Sequence, residues 1–281
     1  MFIIAMIITA FLLEDKEIIL PEIAAMTIAL WVYREKAWMR HPEKIFIMPS
    51  ITAVLGFAVN MLTVPYIAKL AIILLLMVIF MRLVRYSFPP ALATGFLAIV
   101  TNAHEMSFLY AIFFLTFVLM LGVYLFKLNE GVEREGAFDT RKLLAYFSIT
   151  SIWLLLSFVL GIEQMALIPP ITVVMFESLN MKKYSFKIAI KQTIILTLSI
   201  SIAVLLTLYI TNWVVLILFF LVLMNILLRI FQMKIPAVYA FPLLIYVFPA
   251  ERVLQLPFAA LLVSVFSFGM VLIYRKMLQV V

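Results

Sequence analysis

The chain has 281 residues, of which 67% are hydrophobic and only 12% are charged, and its mean hydropathy is +1.22. A soluble domain is about 45–50% apolar and about 25% charged, so this composition excludes a water-soluble globule. The lack of cysteine excludes disulfides and thiolate metal sites. The net charge of +7 is interpreted as basic residues kept on the cytoplasmic side of a membrane, and no nucleic-acid partner is expected.

Short polar or proline-bearing links divide the sequence into twelve apolar segments, which predicts an all-α, polytopic membrane protein. The first six segments are 1–13, 22–33, 45–62, 67–81, 91–101 and 107–126. The second six are 143–161, 171–180, 188–210, 213–228, 237–248 and 256–274. The first segment has no basic region before it and no small-residue cleavage site after it, so we predict a retained helix rather than a signal peptide.

The longest polar link, 127–142, separates two halves that look like copies of one another. Arg82 and Pro89 in the first half match Arg229 and Pro236 in the second half, both at an offset of 147. We therefore predict a duplication with three parts: a first membrane repeat at 1–127, a cytoplasmic linker at 128–142 and a second membrane repeat at 143–281.

The distribution of basic residues predicts the orientation. If every segment crosses, all 21 Lys and Arg except Lys16, Lys69 and Arg252 fall in the links after the second, fourth and sixth segments of each half. Because basic residues are retained in the cytoplasm, both termini are predicted to be cytoplasmic, in a multi-pass protein of the plasma membrane. An even number of crossings in each half makes the two repeats parallel.

Two segments of the first half, 22–33 and 91–101, are shorter than a usual crossing. Such lengths are typical of re-entrant, broken or protein-buried helices, whereas the charge distribution favours crossing. The sequence therefore predicts two parallel repeats of about six segments each, including short broken or re-entrant helices.

Prolines mark the starts of these short segments and of their counterparts in the second half. They are Pro21, Pro89, Pro90, Pro169, Pro170 and Pro236. Proline is favoured in the first turn of a helix, and a helix that begins partway into a membrane presents free N–H groups and a positive dipole end to an anion. Short segments interrupted by proline at matching places in two halves indicate a transporter's binding site. The alternative is that these prolines only end links at the membrane surface.

Other residues near these starts complete the predicted substrate site. Ala91 and Thr94 follow the first proline pair, and Tyr239 follows Pro236. Thr27 and Thr172 are the polar residues near the other two starts.

The sequence Phe88-Pro-Pro-Ala-Leu-Ala-Thr94 resembles the motif of the HPP family of integral membrane proteins, which is named for a His-Pro-Pro sequence. Phe88 stands where the family has histidine, and Leu92 stands where it has glycine. The resemblance extends over 21–127 and, more faintly, over 170–275, as two fused and degenerate copies. It implies transport of a small anion, since some members of the family are linked to nitrite transport.

Glu177 is an acid inside an apolar segment, and an ionisable residue there is a functional candidate by default. The alternative is that it pairs with Lys182 or Lys183 near the end of that segment. The other acids are densest at 14–22, which we interpret as a solvated turn.

The sequence favours a transporter or channel for a small solute, most of all a small anion bound between the proline-started helices of the two repeats. The alternatives are a membrane enzyme that acts on a lipid or prenyl substrate, with Glu177 and the basic links as a headgroup site, and a membrane scaffold protein. No cofactor or metal is expected, and the predicted partners are the lipid bilayer and a small molecule or ion.

Overall fold

The computed structural model describes residues 2–134 and 138–280, and all regular secondary structure in these ranges is helical. The middle of the predicted linker, 135–137, lies outside the described residues, as do residues 1 and 281.

The helices follow the predicted segments closely. Those of the first half are α1 (Phe2–Leu12), α2 (Pro21–Thr27), α3 (Lys36–Met39), α4 (Glu43–Asn60), α5 (Tyr66–Val84), α6 (Pro89–Val100) and α7 (Met106–Leu125). Those of the second half are α8 (Thr140–Val159), α9 (Pro169–Asn180), α10 (Phe186–Thr207), α11 (Trp213–Phe231), α12 (Leu244–Val247), α13 (Ala250–Val253) and α14 (Leu256–Val280).

Several segments depart from a continuous α-helix. Helix α2 continues as a π-helix over Ile28–Val32. The segment Pro236–Val247 consists of two 3₁₀ turns, Pro236–Tyr239 and Phe241–Leu243, followed by α12. We call Pro236–Val247 the broken segment.

Within the described ranges, seven helices are long and apolar enough to cross a membrane: α4, α5, α7, α8, α10, α11 and α14. Their outer surfaces expose large apolar side chains, as on α11, where Phe219, Val222, Ile226 and Ile230 recur at helical spacing. Exposed apolar surface of this extent fits contact with lipid rather than water. These helices fit a multi-pass membrane protein.

Contacts between links define a first face of the protein, which we call the basic face. The imidazole of His41 lies 3.1 Å from the carbonyl oxygen of Arg134, and its ring packs edge-on against Tyr86 at 5.4 Å. Lys44 Nζ lies 4.1 Å from the centre of the Tyr86 ring. The links after α3, α5 and α7 therefore lie together.

The opposite face holds the other links of the first half. The carboxylate of Glu17 accepts hydrogen bonds from the N–H groups of His104 (2.9 Å) and Glu105 (3.0 Å). Asn60 Nδ2 donates to the Ala103 carbonyl at 2.9 Å, and Lys69 Nζ donates to the Asn60 carbonyl at 2.5 Å. Helix α4 has 18 residues and joins the two faces, so they are about 27 Å apart at a rise of about 1.5 Å per residue. This is close to the hydrocarbon thickness of a bilayer, about 30 Å.

Helices α4 and α6 approach each other closely at two glycines. A Cβ atom on Gly56 would collide with the carbonyl oxygen of Gly95, and one on Gly95 would collide with Met77 Sδ. Small residues at helix crossings allow this approach in membranes, where close van der Waals packing drives association.

Similar backbone conformations occur at pairs of positions 147 residues apart. Glu14 and Gly161 both have positive φ, at 54° and 67°. Arg85 and Gln232 both end a long helix in the left-handed conformation, with φ of 49° and 54°. Glu14 and Gly161 follow the C-terminal ends of α1 and α8, and Arg85 and Gln232 follow those of α5 and α11.

Candidate functional site

Four short segments of the described chain begin at proline, and the residue before each first proline is extended. Those residues are Leu20, Phe88, Ile168 and Ile235, with φ between −114° and −128°. The proline ring disfavours the helical conformation in the residue before it and sets its own φ for the first helical position. The sequence therefore fixes where each of these segments begins.

These starts approach the centre of the protein from both faces. Helix α2 follows the turn that holds Glu17, on the opposite face, and α6 follows Tyr86, on the basic face. The broken segment follows Lys234, whose Nζ lies 5.9 Å from the centre of the Tyr33 ring in the link between α2 and α3.

A small cavity lies where the four starts meet, and we call it the central cavity. It is lined by Pro21, Glu22, Ala25, Trp38, Pro90, Ala93, Leu97, Pro169, Pro170, Val173, Ala237 and Ala240. Its volume for a water-sized sphere is about 10 Å³, which is room for roughly one water molecule. In this conformation, the site is therefore nearly closed.

The structure brings together part of the predicted substrate site. Pro90, Pro169 and Pro170 line the central cavity, and Pro236 precedes Ala237, which also lines it. The remaining predicted residues are not among the lining residues: Pro89, Ala91, Thr94, Tyr239, Thr27, Thr172 and Glu177.

The predicted threonine ligands are bonded to their own helices. Thr27 donates its hydroxyl hydrogen to the Ile23 carbonyl at 2.7 Å, Thr94 to the Pro90 carbonyl at 3.0 Å, and Thr172 to the Pro169 carbonyl at 2.7 Å. Such bonds satisfy the hydroxyl within its helix. These residues do not present a free donor to the cavity.

The proline pairs also reduce the number of free amide donors at the starts of α6 and α9. In α6 and α9, the first two positions are prolines without an N–H group. The next N–H groups, those of Ala91 and Ile171, donate to the carbonyls of Phe88 (3.0 Å) and Ile168 (2.9 Å). The expectation of free first-turn amides after these two proline pairs therefore needs correction, because a 3₁₀-type bond occupies the first available donor.

Glu22 is the candidate functional residue that the sequence interpretation missed. Its side chain lines the central cavity and is only 4% exposed, and neither carboxylate oxygen has a hydrogen-bond partner among the other described residues. The interpretation of 14–22 as a solvated turn is therefore wrong at Glu22. Its position directly after Pro21, inside an apolar segment, was the feature of the sequence that could have identified it.

Glu177 lies outside the central cavity, and its side chain is half-buried on α9. Among the described residues, the ion pairs join His41 to Glu43, Lys127 to Glu130 and Lys142 to Asp139, and none includes Glu177.

The end of α9 is held by a basic residue of another helix. The Arg275 guanidinium on α14 donates to the carbonyls of Leu179, at 3.0 Å, and Met181. These bonds satisfy carbonyl groups that a helix end leaves unpaired.

A second, larger cavity opens on the opposite face, and we call it the vestibule. Its volume is about 280 Å³, and its lining includes Lys16, Glu17, Thr101 and Tyr246. Leu97 lines both the vestibule and the central cavity. The two spaces therefore adjoin at this buried residue.

Trp38 lines the central cavity and belongs to α3, next to the basic face. It is buried and packs edge-on against Phe88, with 5.7 Å between ring centres. Phe88 is the extended residue immediately before α6. Trp38 therefore connects the lining of the central cavity to the residue that precedes α6.

No protein-family model, no curated protein and no solved structure matches this chain significantly. The functional argument therefore depends on the geometry of the two cavities.

Proposed function

We propose that the protein is a membrane transporter or channel for a small solute, and that the solute passes through the vestibule and the central cavity. The observation that carries this proposal is the shared residue Leu97, which lines both spaces. We propose that Leu97, on the side of the vestibule, and Trp38, on α3 next to the basic face, close the two ends of the central cavity. Two closures around a small central site are what alternating access requires.

A small anion is the first class of solute that we propose. The resemblance of 88–94 to the HPP family supports it. These residues include the start of α6, and Pro90 and Ala93 among them line the central cavity. An ionised Glu22 would repel an anion, whereas a protonated Glu22 could donate its O–H group to one. The anion would therefore pass while Glu22 is neutral.

We propose, in addition, that the two halves are parallel repeats of one unit. The paired left-handed positions Arg85 and Gln232, and the positive φ of Glu14 and Gly161, support this arrangement. We propose that the basic face is cytoplasmic, because basic residues are retained there.

Flux into proteoliposomes tests the function. Purified protein is reconstituted, and uptake of nitrite, nitrate, formate and chloride is measured beside protein-free liposomes. We expect uptake of at least one of these anions, and a Leu97→Trp variant should abolish it by filling the passage. The matched control is Leu75→Trp, because Leu75 is exposed on the outer side of α5. Folded protein that takes up none of the four anions would overturn the anion proposal.

A further inference from the structure

We propose that the carboxyl group of Glu22 is a proton-binding site in the central cavity, and that the proton moves together with the solute. The coupling of proton to solute rests on the proposed transport function. The proton site itself rests on the surroundings of one side chain.

The first argument is the isolation of the carboxyl group. Among the other described residues, no group hydrogen-bonds to either carboxylate oxygen of Glu22, which is 4% exposed, and none of the ion pairs in this part of the chain includes it. An unpaired ionised carboxylate in an apolar interior is strongly unfavourable. The closed conformation therefore holds this group as the neutral acid.

The second argument is the chemistry of the neighbouring elements. Within the described chain, α1, α6, α7, the π-helix and the two 3₁₀ turns of the broken segment pack against α2, and their sequences contain no Asp, Glu, His, Lys or Arg. Their titratable side chains are Tyr110, Tyr124 and Tyr239. The other elements that line the cavity carry Lys36 on α3, which is exposed, and Glu177 on α9, which lies outside the cavity. No cation from these elements is placed to neutralise the carboxylate.

The third argument distinguishes a proton from a metal cation. Hard metal cations take six or more oxygen ligands. Besides Glu22, the residues that line the central cavity are proline, alanine, valine, leucine and tryptophan, none of which has a side-chain oxygen. The cavity also has room for roughly one water molecule. A proton on the carboxyl group satisfies both constraints.

The fourth argument is the path for the proton. The lining of the vestibule includes Lys16 and Glu17, and Leu97 belongs to the linings of both the vestibule and the central cavity. When Leu97 or Trp38 moves aside, water reaches Glu22 and stabilises the ionised form, so the proton leaves. Release toward one face and uptake from the other would move one proton in each transport cycle.

Infrared spectroscopy of the purified full-length protein tests the proton site without any solute. A protonated carboxyl group has a carbonyl stretching band that is separate from the amide and carboxylate bands. We expect this band at neutral pH in the wild-type protein, its loss in Glu22→Gln, and its retention in the control Glu163→Gln. If Glu22→Gln does not fold, Glu22→Asp keeps the acid and should shift the band. A band that neither substitution at position 22 alters would overturn the proposal.

Proteoliposome measurements test the coupling separately. With acid outside, we expect wild-type uptake of nitrite, nitrate, formate or chloride to increase several-fold, and we expect the ratio of uptake with and without the pH gradient to fall to about one in Glu22→Gln. If anion uptake occurs and ignores the pH gradient, the coupling is wrong. If the infrared band is assigned to Glu22 but none of the four anions moves, the transport proposal fails and the proton site stands.

Discussion

Pro21, the first residue of α2, and Pro90, the second residue of α6, lie on helices that come from opposite faces of the protein, and both line the same small cavity. Both prolines are buried. Two helices from opposite faces can meet in this way only if each begins inside the protein rather than at its surface. This disagrees with the alternative that these prolines merely end surface links. It favours discontinuous helices around a central site, as in many transporters.

Leu97→Ala should increase flux through the pathway. The substitution removes most of a side chain that lines both the vestibule and the central cavity, so in the proposed pathway uptake of the smallest permeant anion should rise several-fold. Removal of a buried leucine also lowers stability by about 2–5 kcal/mol, so size-exclusion chromatography must first show folded protein. Leu75→Ala, on the outer side of α5, should leave the rate unchanged. An equal change in both variants would contradict the assignment of Leu97 to the pathway.

Gly56→Ala should destabilise the protein. The new Cβ atom would meet the backbone carbonyl oxygen of Gly95, which cannot rotate away as a flexible side chain could. Overpacking of this kind costs about 1–3 kcal/mol, which is measurable as a lower midpoint of thermal unfolding in detergent. Gly269→Ala is the control, because a Cβ atom there meets nothing within 4 Å. If both variants unfold at the wild-type temperature, the close contact between α4 and α6 is wrong.

Arg275→Ala should weaken the end of α9. Its guanidinium donates to the Leu179 and Met181 carbonyls, and hydrogen bonds that involve a charged group contribute about 1.5–3 kcal/mol each. We expect a lower unfolding midpoint and faster proteolysis near Met181. The neighbouring Lys276 is exposed, so Lys276→Ala should behave like the wild-type protein. Equal loss in the two variants would indicate a general charge effect instead.

Single introduced cysteines test the two faces, because the chain has no cysteine of its own. Lys36→Cys, Gly131→Cys and Lys182→Cys should react with a membrane-impermeant maleimide only from the cytoplasm. His104→Cys and Glu251→Cys should react only from the outside. All five positions are exposed, so labelling reports sidedness and not burial. Labelling of position 36 and position 104 from the same side would contradict the arrangement of the faces.

Much of the helix pattern could be predicted from the sequence, because proline and hydrophobicity act locally. The apolar segment 171–180 corresponds to α9, which begins at Pro169, and the segment 213–228 corresponds to α11. Proline fixes its own backbone angle and that of the residue before it. The starts of the short segments were therefore predictable from their residues alone.

The chemistry of the cavity could not be predicted in the same way. Asp15, Glu17 and Glu22 are close in sequence, but their surroundings differ. Asp15 accepts a hydrogen bond from the Glu17 N–H, and the Glu17 carboxylate accepts hydrogen bonds from two N–H groups just before α7. Glu22, which follows Pro21, is buried. Which of these acids faces water depends on the position of other helices. Likewise, the 3₁₀-type bond of the Ala91 N–H is a property of the folded turn. Neither follows from spacing.

The two halves contribute different secondary structure to the lining of the central cavity. Helix α6 is continuous over Pro89–Val100, whereas the broken segment changes from 3₁₀ turns to α-helix and carries Pro242 in its interior. Tight 3₁₀ geometry has weaker hydrogen bonds than an α-helix, so the broken segment is the more compliant of the two. We therefore expect α6 to stay rigid while the wall formed by Ala237 and Ala240 bends, which would make the opening of the cavity a one-sided movement.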